Sequence, residues 1–534
     1  MNNSKRIWSN LLKINSPVLA AFSALLIVLA LPPFPFYFLA FFALIPFIYS
    51  FYRDNFHLGF SKGFAFGAVF NLGILYWLAG NQGTTWYFAT LSMLGAVLIL
   101  AVQYGVLGIT ISLIGKNLGE KAALWSLPIL FPALEFLTSR GVLGFTWNSL
   151  CYTQAGNILP AQIASVLGCY GISCWILLIN VSGFFLIRKI VFRKAYRKSL
   201  ILLVLFIILP YIYGFFTIRK IEKTEQGAKI ATGLIQPNVD PNEKWNTASI
   251  RSNIELLYAL SDSILSDHDL DLLVWPETAV PAYVRYRRWI RHEIQDYIKH
   301  RDVSLLTGVP DFKKTDKDEY LFYNATFLLN PDQNRIQSYN KIRLVPFGEK
   351  IPLSNIFESL ENLNLGQGNF DAGDSIKLLE VPAKINSDSQ RGKNILISSA
   401  ICYESGFSDL VREGVRKGAQ LLVVVTNDAW FGNTSAPYLH AAIARIRAIE
   451  NRIPVVRAAN TGVSMIIDKT GKLLQKCDFA EKCHVSSVVN LREGATFFTN
   501  LGYYFNWITV LAASIIIGYA LVDQYKNSEK EQIL

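Results

Sequence analysis

Residues 395–404 read Ile395-Leu396-Ile397-Ser398-Ser399-Ala400-Ile401-Cys402-Tyr403-Glu404. A short apolar run rich in isoleucine that stops at polar residues predicts a strand, Asn394–Ile401, with a cysteine just past its end. The same pattern recurs on both sides of it. Strands are predicted at Lys229–Gln236, Leu270–Trp275, Ser304–Gly308, Tyr323–Leu329, Arg335–Tyr339, Leu421–Thr426, Val455–Ala459 and Ser464–Asp468. Helical patterns fill Ala248–Ser266, Arg287–His300, Ser405–Lys417 and Ala436–Glu450. Strands and helices alternate over residues 218–499, so this region reads as an α/β domain. Several strands are almost wholly apolar, which suits a sheet covered on both faces. Asp468-Lys469-Thr470-Gly471 turns the last of them into a hairpin.

Three reactive side chains share one context. Glu277 follows the run Leu272–Trp275, Lys341 follows Ile336–Tyr339, and Cys402 follows Ile395–Ile401. In α/β sheets, active groups collect beyond strand ends. Asn427 and Asp428 stand at the same kind of position. A thiol, a carboxylate and an amine on one sheet edge make a nucleophilic site: the carboxylate takes the thiol proton and the ammonium stabilises the oxyanion. A nearby lysine also favours thiolate. Taken singly, each residue has a plainer reading: a core cysteine, a glutamate capping a turn, a solvated lysine.

The rest of the chain is of another kind. The 534 residues are 51% hydrophobic and 17% charged, where a soluble protein carries about 25% charged residues. That composition excludes a disordered, collagenous or disulfide-scaffold protein. The apolar excess is concentrated before the α/β region, with one more run near the C-terminus. A bilayer core of about 30 Å takes around 20 apolar residues as helix. Such runs fall near 15–31, 34–52, 59–80, 86–114, 121–138, 159–187, 200–217 and 504–523. The expected organisation is a membrane domain of seven transmembrane helices over 1–217, the α/β domain over 218–499, and an eighth transmembrane helix with a tail over 500–534. Lys5, Arg6 and Lys13 precede the first run as in a signal peptide. Further spans follow at once without a clear small-x-small site, so the first helix is read as uncleaved.

Basic and uncharged connections alternate along the spans. Arg53 and Lys62, Lys116 and Lys121, and the cluster Arg188, Lys189, Arg193, Lys194, Arg197 and Lys198 mark one side. The connections Pro32–Pro35 and Asn81–Thr85 carry no charge. By the positive-inside rule both termini are cytoplasmic and the α/β domain is outside. The net charge of +11 is then partly a topology signal, and no nucleic-acid partner is expected. Of the six cysteines, Cys477 and Cys483 can pair in an oxidising compartment or stay free, and Cys402 is left over. The six histidines are scattered, so no metal site is read. Gln154, Gln162, Ser173 and Asn180 put polar groups at membrane level. They serve function, in a lipid-accessible cavity, or bond neighbouring helices.

The words Trp275-Pro276-Glu277, Lys341-Ile342-Arg343-Leu344-Val345-Pro346-Phe347-Gly348-Glu349 and Cys402-Tyr403-Glu404 resemble the Glu–Lys–Cys signature of the nitrilase superfamily. The seven-plus-one helices around them resemble its apolipoprotein N-acyltransferase branch. So do Thr426-Asn427-Asp428-Ala429-Trp430-Phe431-Gly432, with Pro437, His440, Arg445 and Arg447 behind, and Arg457-Ala458-Ala459-Asn460-Thr461-Gly462. The resemblance implies an α-β-β-α sandwich on a polytopic helical membrane domain of eight transmembrane helices. It implies acyl transfer from the sn-1 position of a phospholipid, through a Cys402 thioester, to the N-terminal diacylglyceryl-cysteine of an apolipoprotein. Glu277 is then the general base, Lys341 the oxyanion partner and Cys402 the nucleophile. Glu349, Tyr403 and Glu404 support them, and Trp245, Asn427, Trp430 and Phe431 meet substrate. No cofactor or metal is implied. The chain is expected to act as a monomer in the cytoplasmic (inner) membrane with its catalytic domain extracytoplasmic. The alternative is a membrane-tethered amidase using the same triad on a small amide.

Two departures from the family pattern stand out: Thr146 before Trp147, where proline is common, and Lys350 after Glu349, where an aromatic is common. Arg285, Arg287, Arg288 and Arg291, interleaved with Tyr283, Tyr286 and Trp289, suggest lipid-headgroup contact or a solvated helix face.

Overall fold

The structure is a computed structural model and describes residues 15–81, 83–224, 227–244, 249–351, 369–383 and 394–533. All eight expected stretches contain helix. Among the described residues, five helices are long and apolar enough to cross a bilayer: Gly59–Gly80, Trp86–Asn117, Ala164–Val191, Arg197–Lys223 and Phe498–Lys530. Ser16–Ala30 and Tyr37–Arg53 are apolar but shorter, and Glu120–Thr138 carries two prolines and a buried Glu135.

Packing among these helices follows membrane rules rather than water rules. Gly59, Gly63 and Gly67 form a stripe of small residues facing Trp86–Asn117, and a Cβ on Gly63 would lie 2.0 Å from the Tyr104 carbonyl oxygen. Close backbone approach supplies dispersion contact where no hydrophobic drive exists. The four polar side chains at this level bond across the helical region. Gln154 Nε2 donates to the Tyr37 carbonyl (3.0 Å) and Asn180 Nδ2 to that of Ala40 (2.8 Å), while Ser173 Oγ lies 3.2 Å from Ser149 Oγ. Gln162 Nε2 reaches the Thr470 carbonyl of the α/β domain (2.9 Å). Three of these groups therefore bond within the helical region, and Gln162 ties it to the α/β domain.

Helix Ala164–Val191 is broken at Gly168, whose φ of 72° and ψ of −174° interrupt the ladder. Glu450 of the α/β domain accepts the Cys169 N–H there at 2.7 Å. Glu450 also accepts from Ser408 (2.9 Å) and pairs with Arg447 (2.9 Å), and Arg447 and Glu450 are fully buried.

The α/β domain has twelve described strands: β1 Lys229–Gln236, β2 Leu272–Val274, β3 Ser304–Lys314, β4 Tyr320–Asn330, β5 Gln333–Asn340, β6 Leu378–Pro382, β7 Asn394–Ile401, β8 Leu421–Thr426, β9 Val455–Ala459, β10 Ser464–Ile467, β11 Leu473–Cys477 and β12 Cys483–Asn490. They form two six-stranded sheets, β12-β1-β2-β3-β4-β5 and β11-β10-β9-β8-β7-β6. Leu272, Val274, Ile397, Val423, Val425 and Ile466 fill the space between the sheets. Each such side chain contributes about 1.5–3 kcal/mol on burial. Ile254 of helix Ser249–Asp267 and Ile294 of Arg288–Arg301 cover the first sheet, and Val411 of Ser408–Arg416 and Ala444 of Ala436–Asn451 cover the second. This is the expected α-β-β-α sandwich.

The differences from the sequence reading lie at edges and ends. β3 and β4 run on to Lys314 and back from Tyr320 as a long hairpin, past the apolar pattern. β6 and β12 lack a clear apolar signature. β6 is a five-residue edge strand ending in proline, and β12 is half polar and mostly half-buried. Cys477 and Cys483 are disulfide-bonded, tying the end of β11 in one sheet to the start of β12 in the other.

Candidate active site

Glu277 and Lys341 follow β2 and β5 of one sheet, and Cys402 follows β7 of the other, so the sandwich brings the three strand ends together. Lys341 Nζ lies 2.8 Å from Glu349 Oε1 and 3.8 Å from Glu277 Oε1, all three buried. Burial alone would lower the lysine's proton affinity, but Glu349 and then Glu277 outweigh it and hold Lys341 above its ordinary range. Lys341 is a permanent ammonium.

The carboxylates are placed by residues the sequence reading missed. Asn324 Nδ2 donates to Glu277 Oε1 (2.7 Å) and to Glu349 Oε1 (3.0 Å), bridging them. Its signal was an asparagine inside an apolar strand, where asparagine is depleted. Gly308 on β3 is tight against the same loop: a Cβ there would lie 2.5 Å from Glu277 Cα. Lys244 is also buried, and its Nζ donates to the Glu277 carbonyl (3.0 Å) and to Thr278 Oγ1 (3.1 Å). Burial pulls Lys244 down to about 7, with Glu277 opposing. Thr278 is held at φ 45°, an outlier for a β-branched residue. Burial raises Glu277 above the usual carboxylate range, against the pull of Lys341.

Cys402 has φ 51°, in the left-handed region that favours glycine, and opens the 3-10 turn Cys402–Gly406. Ser405 Oγ donates to the Cys402 carbonyl (3.0 Å), and His440 Nε2 lies 3.0 Å from the same oxygen. His440 Nδ1 is 2.9 Å from Asp428 Oδ1, and Arg457 donates to Asp428 Oδ2 at 2.8 Å. This buried chain supports the strained backbone of the cysteine. Cys402, Asp428 and His440 bring candidate ligand atoms within 4.8 Å of one another, a proximity that residue spacing did not reveal. The Asp428 oxygens already accept from Thr426 and Arg457 and face His440. A guanidinium so close opposes a cation, and the group acts as a hydrogen-bonded brace.

Burial, and next Glu277, push the Cys402 thiol well up, and Lys341 only partly offsets them. Lys341 acts on the thiol in the expected direction, toward thiolate, but burial and Glu277 outweigh it. The thiol needs a base at the moment of attack.

Glu404 Oε1 accepts from Tyr339 Oη (2.8 Å) and from the amides of Ile342 (2.7 Å) and Arg343 (3.1 Å), and Oε2 accepts from the Ile401 amide (2.8 Å). It ties the lysine loop to the cysteine strand. Tyr403 reaches out of the domain, donating to the Gly144 carbonyl at 2.6 Å. Phe431 stacks edge-on against Trp77 of the helical region at 4.2 Å between centroids, and Trp430 beside it is half-buried. Asn427 Oδ1 accepts from Asn460 (3.1 Å) and the Ala429 amide (3.4 Å). Trp245 lies outside the described residues. The site thus sits where the sandwich meets the membrane helices. In the basic stretch, Arg285 is spent on a bidentate pair with Asp311 (3.0 and 2.9 Å), whereas Arg287 and Arg288 are exposed.

The carbon-nitrogen hydrolase family model matches residues 231–489, and the model of the apolipoprotein N-acyltransferase N-terminal domain matches 23–182. The apolipoprotein N-acyltransferase of Geobacter metallireducens is 32% identical over 508 residues, covering 94% of this chain and 95% of its own. That of Chlorobaculum tepidum is 30% identical over 479 residues, covering 86% and 87%. Among solved structures, an amidase from Nesterenkonia sp. is 18% identical with a TM-score of 0.36, covering 53% of this chain and 97% of that one. On the full-length match to the Geobacter relative and the two domain models, the chain belongs to the apolipoprotein N-acyltransferase family.

Proposed function

We propose that this protein moves the sn-1 acyl chain of a phospholipid onto Cys402 and then onto the α-amino group of an apolipoprotein's N-terminal diacylglyceryl-cysteine. The observation that carries the reading is the lysine held between two buried carboxylates, beside a strained, half-buried cysteine at the seam with the membrane helices. Cys402 Sγ attacks the ester carbonyl while Glu277 takes its proton. The tetrahedral oxyanion is stabilised by Lys341 Nζ and the amide after Cys402. Collapse breaks the ester C–O bond, Glu277 returns the proton, and lysophospholipid leaves. The free amine then attacks the thioester, Glu277 takes a proton from it, and the thiol is restored as the N-acyl product leaves. Glu349 fixes the lysine, Asn427, Trp430 and Phe431 meet the lipid substrates, and Trp245 keeps the substrate-binding role that the resemblance implies.

The basic connections put both termini in the cytoplasm and the sandwich outside, in an inner membrane crossed eight times. The Cys477–Cys483 bond supports this placement, since disulfides persist in oxidising compartments. Residues 1–217, 218–499 and 500–534 are the corresponding units, and the chain works as a monomer.

The test is incubation with phospholipid labelled in its sn-1 chain. A hydroxylamine-labile label on the protein, chased onto a diacylglyceryl-cysteine peptide, is expected. Ammonia release from small amides without any label would instead favour the amidase reading.

Two further outcomes follow from the charges. Glu277 must be ionised to take the thiol proton, and burial raises it above the ordinary 4.5. Single-turnover acylation should therefore fall as pH drops through a midpoint above 4.5, and an equal midpoint in Glu277→Gln would assign that limb to another group. Lys244 lowers the proton affinity of Glu277 and braces its backbone. Lys244→Met should cost roughly tenfold to a hundredfold in kcat, equivalent to about 1.4–2.8 kcal/mol. It should also move the acid limb to higher pH, with partial rescue in Lys244→Arg. An unshifted limb would reduce Lys244 to a packing residue.

A further inference from the structure

A cleft of about 740 Å³ opens between the loop that follows Lys341, helix Ser408–Arg416 and Tyr503, at the start of the last apolar helix. Glu277, Lys341 and Cys402 do not line it. Its charged walls are Arg343, Arg412, Arg416 and Lys417, against Asp374, Asp409 and Glu413. Several of these are already matched. Lys417 pairs with Glu413 (3.4 Å), and Asp409 pairs with Arg140 (2.6 Å). That leaves three guanidiniums facing one carboxylate, Asp374.

The three arginines are not equivalent. Arg412 is the floor: buried, it donates to the carbonyls of Phe498 (3.2 Å) and Asn500 (3.1 Å) and lies over the Tyr503 ring at 5.1 Å. Burial, and next the charge of Arg416, lower its proton affinity, so the two guanidiniums stand close enough to repel. Arg343 lies over the Phe407 ring at 5.3 Å. Among the described residues, neither Arg343 nor Arg416 has an ion-pair partner. Converging forked donors without a counter-anion suit a phosphate, whose oxygens match guanidinium geometry.

The surroundings decide which phosphate. The last apolar helix starts at the cleft, and Tyr504, Ile508, Leu511 and Ile515 make an exposed apolar stripe along it. Their spacing of four, three and four residues puts them on one helix face. A free phosphate leaves that stripe unused, whereas a glycerophospholipid covers both features at once.

We infer that this cleft binds the phosphodiester headgroup of an anionic membrane lipid between Arg343 and Arg416, with its acyl chains along the exposed face of the last helix. The inference rests on the membrane reading of Phe498–Lys530 and not on acyl transfer. The occupant is a resident lipid distinct from the acyl donor. The Arg343 amide also donates to Glu404, so the headgroup lies against the loop that carries Lys341.

The experiment uses full-length Cys402→Ala protein, so that no chain is consumed. It is placed in nanodiscs of phosphatidylethanolamine and dioleoylphosphatidylglycerol, extracted into mild detergent, and read by native mass spectrometry. Retained phosphatidylglycerol should fall at least fivefold in Arg343→Gln/Arg416→Gln. It should fall less in Arg343→Lys/Arg416→Lys, which keeps the charge but not the fork, and hold in Arg301→Gln, whose charge is paired with Asp262 elsewhere. Equal retention in the glutamine variant overturns the site. Should that variant not stay monodisperse, the unsubstituted cleft decides. Raising the salt from about 0.05 to 0.5 M should strip the lipid severalfold if charge holds it, and salt-independent retention overturns the inference. Displacement by millimolar inorganic phosphate would make the cleft a general phosphate site and overturn the lipid assignment.

Discussion

Cys402→Ser is expected to lower acyl transfer at least about a thousandfold while leaving the chain folded. Burial and Glu277 already hold the thiol protonated at rest, with Lys341 only partly compensating. Glu277, raised as it is, can still take a thiol proton as the sulfur attacks. A serine hydroxyl is far less acidic and less nucleophilic. The readout is the labile acyl label, absent in the variant, beside an unchanged thermal midpoint in detergent. Activity within tenfold of the parent would remove Cys402 from the nucleophile's role. The backbone offers an independent check. At φ 51° every residue but glycine is strained, so Cys402→Gly should be more stable than Cys402→Ala by about 1 kcal/mol. Both should be inactive. Equal stability would mean that the brace through Ser405 and His440 does not hold the strained turn.

Glu404→Leu should destabilise the protein by about 3–5 kcal/mol and abolish acylation. The carboxylate accepts three backbone amides and the Tyr339 phenol in the interior. Leucine leaves all four donors without an acceptor and releases the lysine loop from the cysteine strand. Glu404→Gln keeps one carbonyl acceptor and should lose roughly half as much stability. Thermal unfolding, followed with the acyl-label assay on the surviving folded fraction, separates the two effects. A leucine variant within about 1 kcal/mol of the parent would mean that the loop is held by other contacts.

The three residues proposed for catalysis were legible because each interrupts an apolar run at a strand end, and the flanking words were long. The sandwich was legible for the same reason: β7, β8 and β9 are nearly pure aliphatic runs. What escaped has identifiable causes. β12 pairs with β1 from the far end of the domain, and its mostly half-buried residues leave no alternation to read. Lys244 reads as an ordinary polar residue, and its burial depends on Glu277, 33 residues on. Tyr403 was picked out beside the nucleophile, yet its partner Gly144 is 259 residues away. The pull of Lys341 toward thiolate was readable, whereas the burial and the Glu277 charge that outweigh it exist only in the folded site.

The break at Gly168 bears on how the molecule is made. Synthesis runs from the N-terminus, so helix Ala164–Val191 is complete long before the residue that satisfies it. The Cys169 N–H waits for a carboxylate encoded 281 positions later. Until Glu450 arrives with Arg447, a nascent membrane half carries an uncapped donor at its kink. The α/β half, made alone, would carry a buried acid and base stripped of their seat. Neither piece is a finished module. Co-expressed halves split between Lys223 and Lys229 should therefore find each other, and each should be degraded when expressed without its mate.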